Sequence, residues 1–229
     1  MSKTAIIAAV ERLDLATTRQ LLRRTPSLRT VTDRQGRNLL HLACSVPPAK
    51  RGPSETAQAR LVAFLLDDGF ELGVPIGRDK CTPLFFAVAR ARNLRLVKLL
   101  LARGAMGKGA PGGGLFAAGW WQDLKILDVL LAAGAEIDVV AGVTPFLACW
   151  GWKRFDAAKF LATKGADVNF RDKKGKTALH HGVEKDFDPA LLAWLVKHGA
   201  SPDLEDRDGV SPRQRASRKR DKRYLAALS

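Results

Sequence analysis

A recurring unit limits what this chain can fold into more than any other feature. Its clearest copy runs Asp172-Lys173-Lys174-Gly175-Lys176-Thr177-Ala178-Leu179-His180 and closes at Gly199-Ala200. Earlier copies open at Asp33-Arg34-Gln35-Gly36-Arg37-Asn38, Cys81-Thr82-Pro83-Leu84, Gly113-Gly114-Leu115-Phe116 and Gly142-Val143-Thr144-Pro145. A last half-copy, Asp206 to Pro212, has no closing Gly-Ala. Thr82, Gly113, Thr144, Thr177 and Ser211 follow one another at steps of 31, 31, 33 and 34 residues. The closing glycines, Gly104, Gly134, Gly165 and Gly199, keep the same beat. Two independent markers with one period describe a solenoid, which grows in one dimension and has no single central core.

Each marker has a physical reason. Thr82, Thr144 and Thr177 are of the residue type that caps a helix start by accepting a backbone N–H. Pro83 and Pro145 follow in the first turn, where a missing N–H costs nothing. The closing glycines supply the left-handed residue that ends a second helix. In the first copy Asn38 takes the capping place. From Asn38 to Gly69 is 31 residues, against 21 or 22 elsewhere, so an insertion lies near Val46–Thr56. Ahead of it, residues 4–24 read as a helix pair whose outer face carries Arg12, Arg19, Arg23 and Arg24, a polar outside that suits a terminal cap.

These residues resemble the ankyrin repeat family over about residues 33–229, best over 139–212 with Gly165-Ala166-Asp167-Val168-Asn169. The resemblance implies an all-α ankyrin-repeat solenoid of stacked helix-turn-helix units joined by hairpin-like fingers. It implies one domain over 1–229: an N-terminal cap at 1–32, repeats at 33–76, 77–107, 108–138, 139–171 and 172–205, and a C-terminal cap at 206–229. Fingers and inner (first) helices then line a concave face where partners bind. His41 and His180 stand where the family bonds backbone between repeats; Phe85, Phe116 and Leu147 replace that His in three successive units. Finger length runs 12 residues at 165–177 and 199–211, 10 at 134–144 and 9 at 104–113. The shortened middle fingers are expected to open the groove there.

Composition adds partners rather than fold. The net charge is +15, which favours acidic protein, nucleic acid or an anionic surface. Three cysteines, Cys44, Cys81 and Cys149, cannot all pair and fit a reducing compartment. The apolar run Ala5–Val10 is too short for a signal-peptide core, and Leu115–Trp121 falls far short of a membrane span. We expect a cytoplasmic monomer, with delivery by a specialised secretion system left open. No nucleophile–base constellation, metal-ligand spacing or phosphate loop stands out, so neither enzyme activity, cofactor nor metal is expected. The glycine-rich stretch Gly107–Gly114 lacks a G-K-[ST] ending and reads as a finger.

Two features point to binding. The two residues late in each inner helix face the groove in this family; they read Ser45/Val46, Ala89/Arg90, Trp120/Trp121, Gly151/Trp152 and Glu184/Lys185. Three Trp therefore cluster beside the shortened fingers, either as binding anchors or as filling for the vacated space. With Arg90, Lys173, Lys174 and Lys185 flanking them, they make a partner-protein site. Trp150 falls at a normally small core place, with Gly119 its counterpart one repeat earlier, and reads as core. The second feature is Arg213, Arg215, Arg218, Lys219, Arg220, Lys222 and Arg223, seven cations in eleven residues opposed by Asp221. On one helix they read as a solvated cap, or as the alternative site, for an acidic protein or for nucleic acid.

Overall fold

A computed structural model describes residues 2–47, 55–77, 80–105 and 114–229. Most of the insertion near Val46–Thr56, and most of the Gly107–Gly114 finger, lie outside the described residues. The described chain is helical, with two isolated antiparallel bridges, Thr32–Asn38 and Ile76–Cys81, in place of strands. It falls into two compact units, Met1–Ala118 with Lys125–Ala135, and Gly119–Leu124 with Glu136–Ser229.

The first unit begins with α1 (Lys3–Glu11) and α2 (Leu15–Arg24), then α3 (Leu39–Ser45) and α4 (Glu55–Asp67), then α5 (Pro83–Phe86) and α6 (Leu94–Ala102). Helices α7 (Leu115–Trp121) and α8 (Leu124–Ala132) come next in the chain. The second unit holds α9 (Pro145–Gly151) and α10 (Phe155–Thr163), α11 (Ala178–Glu184) and α12 (Pro189–Lys197), and the short α13 (Pro212–Ser217) and α14 (Arg223–Ala226). Side chains cap the starts as the sequence predicts: Asn38 accepts from His41 N–H, Thr82 from Phe85, Thr144 from Leu147. Gly104 and its counterparts end the outer helices at positive φ; at Gly104 (φ 85°) the Ala105 N–H turns back to the Leu100 carbonyl at 3.1 Å.

The turn between inner and outer helix was not anticipated. Leu13, Arg92, Gln122, Lys153 and Asp186 all take a left-handed φ between 50° and 61° there. They mark the repeat as sharply as the threonines do, and they expose an irregularity. Thr144 and Thr177 each stand nine residues before their turn residue, whereas Thr82 stands ten before Arg92. The surplus residue is absorbed as a π turn over Ala87–Ala91 that continues α5. Counted back from the turn, the pair matching Trp120/Trp121 is therefore Arg90/Ala91, not Ala89/Arg90. Arg90 is exposed and Ala91 buried.

Fingers and inner helices are tied by buried imidazoles. His180 accepts from the Thr177 N–H at Nδ1 (3.0 Å), leaving Nε2–H to donate to the Val210 carbonyl at 3.0 Å. His41 Nε2 lies 2.9 Å from the Val74 carbonyl. Within three fingers an aspartate organises the turn: Asp33 accepts from Gln35 and Arg37 N–H, Asp172 from Lys174 and Lys176, Asp206 from Asp208 and Val210. Adjacent fingers of the second unit join through Arg207 N–H to the Lys174 carbonyl (3.0 Å). A Cβ on Gly175 would meet that Arg207 nitrogen at 2.9 Å, so the approach requires glycine.

Trp150 is fully buried, as core. It sits among Phe146, Phe155 and Phe187 with ring centroids 5.3 to 6.3 Å away, and its Nε1–H donates to the Ala178 carbonyl at 2.8 Å. Its small neighbour is Gly182, where a Cβ would lie 3.7 Å from the indole, and not the expected Gly119, which faces Cys149. Trp150→Ala should lower stability in urea unfolding by about 3–5 kcal/mol, because the cavity is lined from three sides and an Ala178 carbonyl loses its donor.

Burial pulls the imidazoles of His41 and His180 below the ordinary value of 6.5, although their backbone bonds work against it. The unfolded chain thus binds these protons first. Stability is full above about pH 6.5 and falls as pH drops below it. Asp33 and Asp172 resist ionisation through burial, but the N–H groups that hold them outweigh it and keep both carboxyls below the usual 3.8, a window well apart from that of the histidines. Thermal melts between about pH 7 and 5 should show the histidine-dependent slope, and a His41→Gln/His180→Gln chain should show a flatter one whatever its absolute stability.

Candidate partner-binding site

The inner-helix ends of α7 and α9 carry the aromatic patch. Both helices are short and amphipathic, and their last residues pass beyond the core into solvent. Trp120, Trp121 and Trp152 are 42%, 45% and 40% exposed, and apart from Val140 no other large hydrophobic side chain among the described residues is exposed. Trp120 and Trp152 meet edge to face with centroids 5.3 Å apart at 80°. That pairing is favoured by the ring quadrupoles.

Arg154 completes the patch, and sequence reasoning missed it. Its guanidinium lies 4.6 Å from the Trp120 centroid, a cation–π contact that fixes the indole plane. Its Nε is buried without a hydrogen-bond partner, and no carboxylate pairs with it. Arg154 stands just past the left-handed Lys153, at a place that holds no conspicuous motif; the only signal was its position one repeat from Trp120. Gln122, the turn residue of the preceding repeat, reaches across to accept from Asp156 N–H at 3.2 Å and so caps α10, which has no cap of its own. Beneath the patch, a Cβ on Gly119 would meet Cys149 Sγ at 2.3 Å. The glycine lets α7 and α9 approach closely.

Of the expected flanking cations, Lys185 is joined to this helix end by its ammonium, 3.4 Å from the Gly151 carbonyl. Lys153 lies 5.5 Å over Phe187. Neither has a carboxylate partner. Lys173 and Lys174 are exposed on the finger and make no ion pair. Arg90 is exposed on the π turn of the first unit. Glu184, the residue beside Lys185, is occupied by Lys176 (2.6 Å) and Arg215 (2.8 Å).

The C-terminal cations do not form one basic helix. The chain breaks between α13 and α14, and the run divides between them and the turn at 218–222. Four of the seven have carboxylate partners: Arg213 with Asp203 (2.7 Å), Arg215 with Glu184 and Asp206, Lys219 with Asp186, and Arg223 with Asp221 (2.8 Å). Lys219 and Tyr224 also stack, 5.0 Å apart. Arg218, Arg220 and Lys222 remain exposed. The segment's charges therefore act largely as a clasp on the last repeat.

Chemistry of other kinds has little footing. The Cys149 thiol is pushed up to about 12 by burial, and Cys44 higher still, so neither is a nucleophile at neutral pH. Among the described residues no group of His, Cys, Asp and Glu could hold a metal, and no helix is long and apolar enough to cross a membrane.

Comparison with known proteins agrees with this architecture. The family model for ankyrin repeats in three copies matches residues 115–206, and the single ankyrin repeat model matches 79–106, together more than half of the chain. An ankyrin repeat-containing protein of Treponema pallidum is 33% identical over 134 residues, 56% of this chain and 44% of that one. An ankyrin repeat protein of Rickettsia felis is 24% identical over 88 residues, 38% of this chain and 23% of that one. The chain thus spans less than half the length of either relative. Among solved structures, the ankyrin repeat domain of Bcl-3 superposes with a TM-score of 0.80 at 21% identity, over 98% of this chain and 97% of that one. An ankyrin repeat domain from Acinetobacter baumannii gives 0.66 at 25% identity, over 82% and 95%.

Gly119→Ala should cost about 1–3 kcal/mol through overpacking against Cys149. Adding Cys149→Ala should recover most of that loss, a coupling of about 1 kcal/mol or more in a urea double-mutant cycle. Additive losses would show that the two residues do not meet.

Proposed function

This chain belongs to the ankyrin repeat family, and we propose that it binds a partner protein through Trp120, Trp121 and Trp152, with Arg154, Lys153 and Lys185 supplying the surrounding charge. Ankyrin repeats generally mediate protein–protein interaction and are generally not enzymes. The observation that carries the reading is the exposure of three indoles at one place, each about two-fifths in solvent. Large aromatic side chains and arginine are the residues most often found as anchors of protein interfaces. Two of the indoles are held in one geometry by their edge-to-face contact and by Arg154. A held side chain loses less rotamer entropy on binding.

Magnitudes indicate what kind of partner surface the patch asks for. Covering the exposed part of one indole, roughly 100 Å² of about 250 Å², is worth about 2.5 kcal/mol. Three together give about 7 kcal/mol, which is of the order of the fixed cost of association. Apolar burial alone therefore supports only weak binding. The unpaired cations around the patch favour a partner segment that carries carboxylates beside its apolar residues. Arg90, Lys173 and Lys174 are further cations available to such a segment.

The test is a crosslinking pull-down from a lysate of the source cells, comparing the natural chain with a Trp120→Ala/Trp152→Ala variant whose fold is checked by circular dichroism. Loss of the captured protein by the variant is expected, with each anchor contributing about 2 kcal/mol, roughly thirtyfold in Kd. Equal recovery by a folded double variant would sink the assignment.

A further inference from the structure

A second set of cations, far from the conspicuous C-terminal run, is left without partners. The outer helices of the first unit, α2, α4 and α6, pack side by side. Each buries one stripe: Leu21 and Leu22, then Leu61, Val62 and Leu65, then Leu96, Val97 and Leu100. The opposite stripe must face solvent. On α2 it presents Arg19 and Arg23, on α4 Arg60, on α6 Arg95 and Lys98, all exposed. None of the five pairs with a carboxylate. The three helices carry only two acids between them, Glu55 at the start of α4 and Asp67 at its end, and Asp67 is taken by Arg103 at 2.9 Å. Neighbouring Asp68 is held by Arg29 at 2.8 Å.

The face is also organised. Arg19 lies 5.0 Å over the Phe64 ring, which joins α2 to α4 and covers the one aromatic there. Beside it, Arg23 and Arg24 line a surface hollow with Ala16 and Gln20. Arg19 and Arg23 stand one turn apart, a like-charge arrangement that is unfavourable in isolation and favourable once an anion lies between them.

We propose that this face docks the phosphate backbone of duplex DNA. The chemistry decides among the anionic partners. A protein interface has an aromatic or apolar centre, and none of the exposed large hydrophobic residues, Trp120, Trp121, Val140 and Trp152, belongs to this unit. Stable membrane attachment takes an apolar or acyl signal besides basic charge, and the same lack removes it. Nucleic-acid interfaces are polar and strongly positive, and four of the five cations are arginines, whose planar fork matches a phosphate. Packed helices lie about 8–10 Å apart, so the outer two cation rows are separated by about 16–20 Å. With side-chain reach, these rows span the strands that border the major groove of a B-form duplex, about 12 Å wide. The narrow, deep major groove of an A-form RNA helix fits such rows less well. Contacts of this kind are to backbone and carry no sequence preference. The proposal is independent of the Trp patch and stands or falls separately.

Fluorescence anisotropy with a short mixed-sequence DNA duplex, titrated with the full chain between about 50 and 200 mM salt, tests it. Binding that weakens steeply with salt is expected. An Arg19→Gln/Arg23→Gln/Arg60→Gln variant should bind at least tenfold more weakly at low salt and lose about 2.7 from the log–log salt slope, about 0.9 for each phosphate contact. Single Arg60→Gln and Lys98→Gln variants, each an exposed change that leaves the buried stripes untouched, should each lose about 0.9. An Arg218→Gln/Arg220→Gln/Lys222→Gln chain should keep the natural affinity within about twofold. The idea is overturned by no binding at about 50 mM salt, by unchanged slopes in the outer-helix variants, or by an equal loss in the C-terminal variant. Tighter binding to duplex RNA or to phosphatidylserine vesicles than to DNA would overturn it as well.

Discussion

A hydrogen bond from a buried imidazole to the backbone of the next finger is the constraint on which the ends of this molecule depend. His180 reads two repeats at once: Nδ1 is fixed by the N–H of its own helix cap, and Nε2 then has only a carbonyl of the following finger to serve. The cap sets the tautomer, and the tautomer sets the register between units. Asp206, which shapes that following finger, is in turn gripped by Arg215 from α13. One short polar chain thus links a helix start, a finger and the C-terminal clasp. Such a chain is strong only when every member is satisfied.

The middle repeats dispense with that device and use apolar contact instead. Phe85, Phe116 and Leu147 stand where the imidazole would be. Around Leu147 the polar tie is moved along the helix to Trp150, whose indole N–H donates to Ala178 in the next repeat. An indole that reaches across to the next unit needs room, and Gly182 supplies it. Gly119 does the same for Cys149 one step earlier. Apolar packing tolerates close approach and small residues, while a histidine bond demands a finger of set length to present its carbonyl. Repeats freed from the bond are the ones with shortened fingers.

Much of this was readable before any coordinates. Helix caps, prolines and closing glycines act within four residues of themselves, so local sequence suffices to place them, and the repeat beat places the units. Exposure of Trp120, Trp121 and Trp152 followed from their rank in the helix. What escaped was set by pairs distant in sequence. Lys219 meets Asp186 and Arg215 meets Glu184, each about thirty residues away, and no local pattern shows that such charges cancel. Read locally, the C-terminal run was a basic helix; in the fold it is two short helices and four ion pairs. Arg154 escaped for the same reason, since its partner Trp120 lies a full repeat earlier. The π turn at Ala87–Ala91 was legible in principle, because the cap-to-turn count is one too long, but the count has meaning only once the left-handed turn residues are known.

These distant pairs divide the chain's positive charge into two kinds. In the C-terminal segment each carboxylate that could have stayed in solvent is drawn onto a cation, and the pairs sit over a small, late repeat that has no further neighbour to cover it. There, charge substitutes for the packing that a terminal unit lacks. Around the Trp patch the reverse holds: Glu184 is already taken by Lys176 and Arg215, so Lys185 beside it is left uncompensated, and Arg154 spends its cation on an indole face instead of a carboxylate. A guanidinium over a ring keeps most of its field directed outward, because the ring quadrupole neutralises none of its net charge. The arrangement keeps three indoles ordered and, at the same point, leaves a positive field for whatever approaches them.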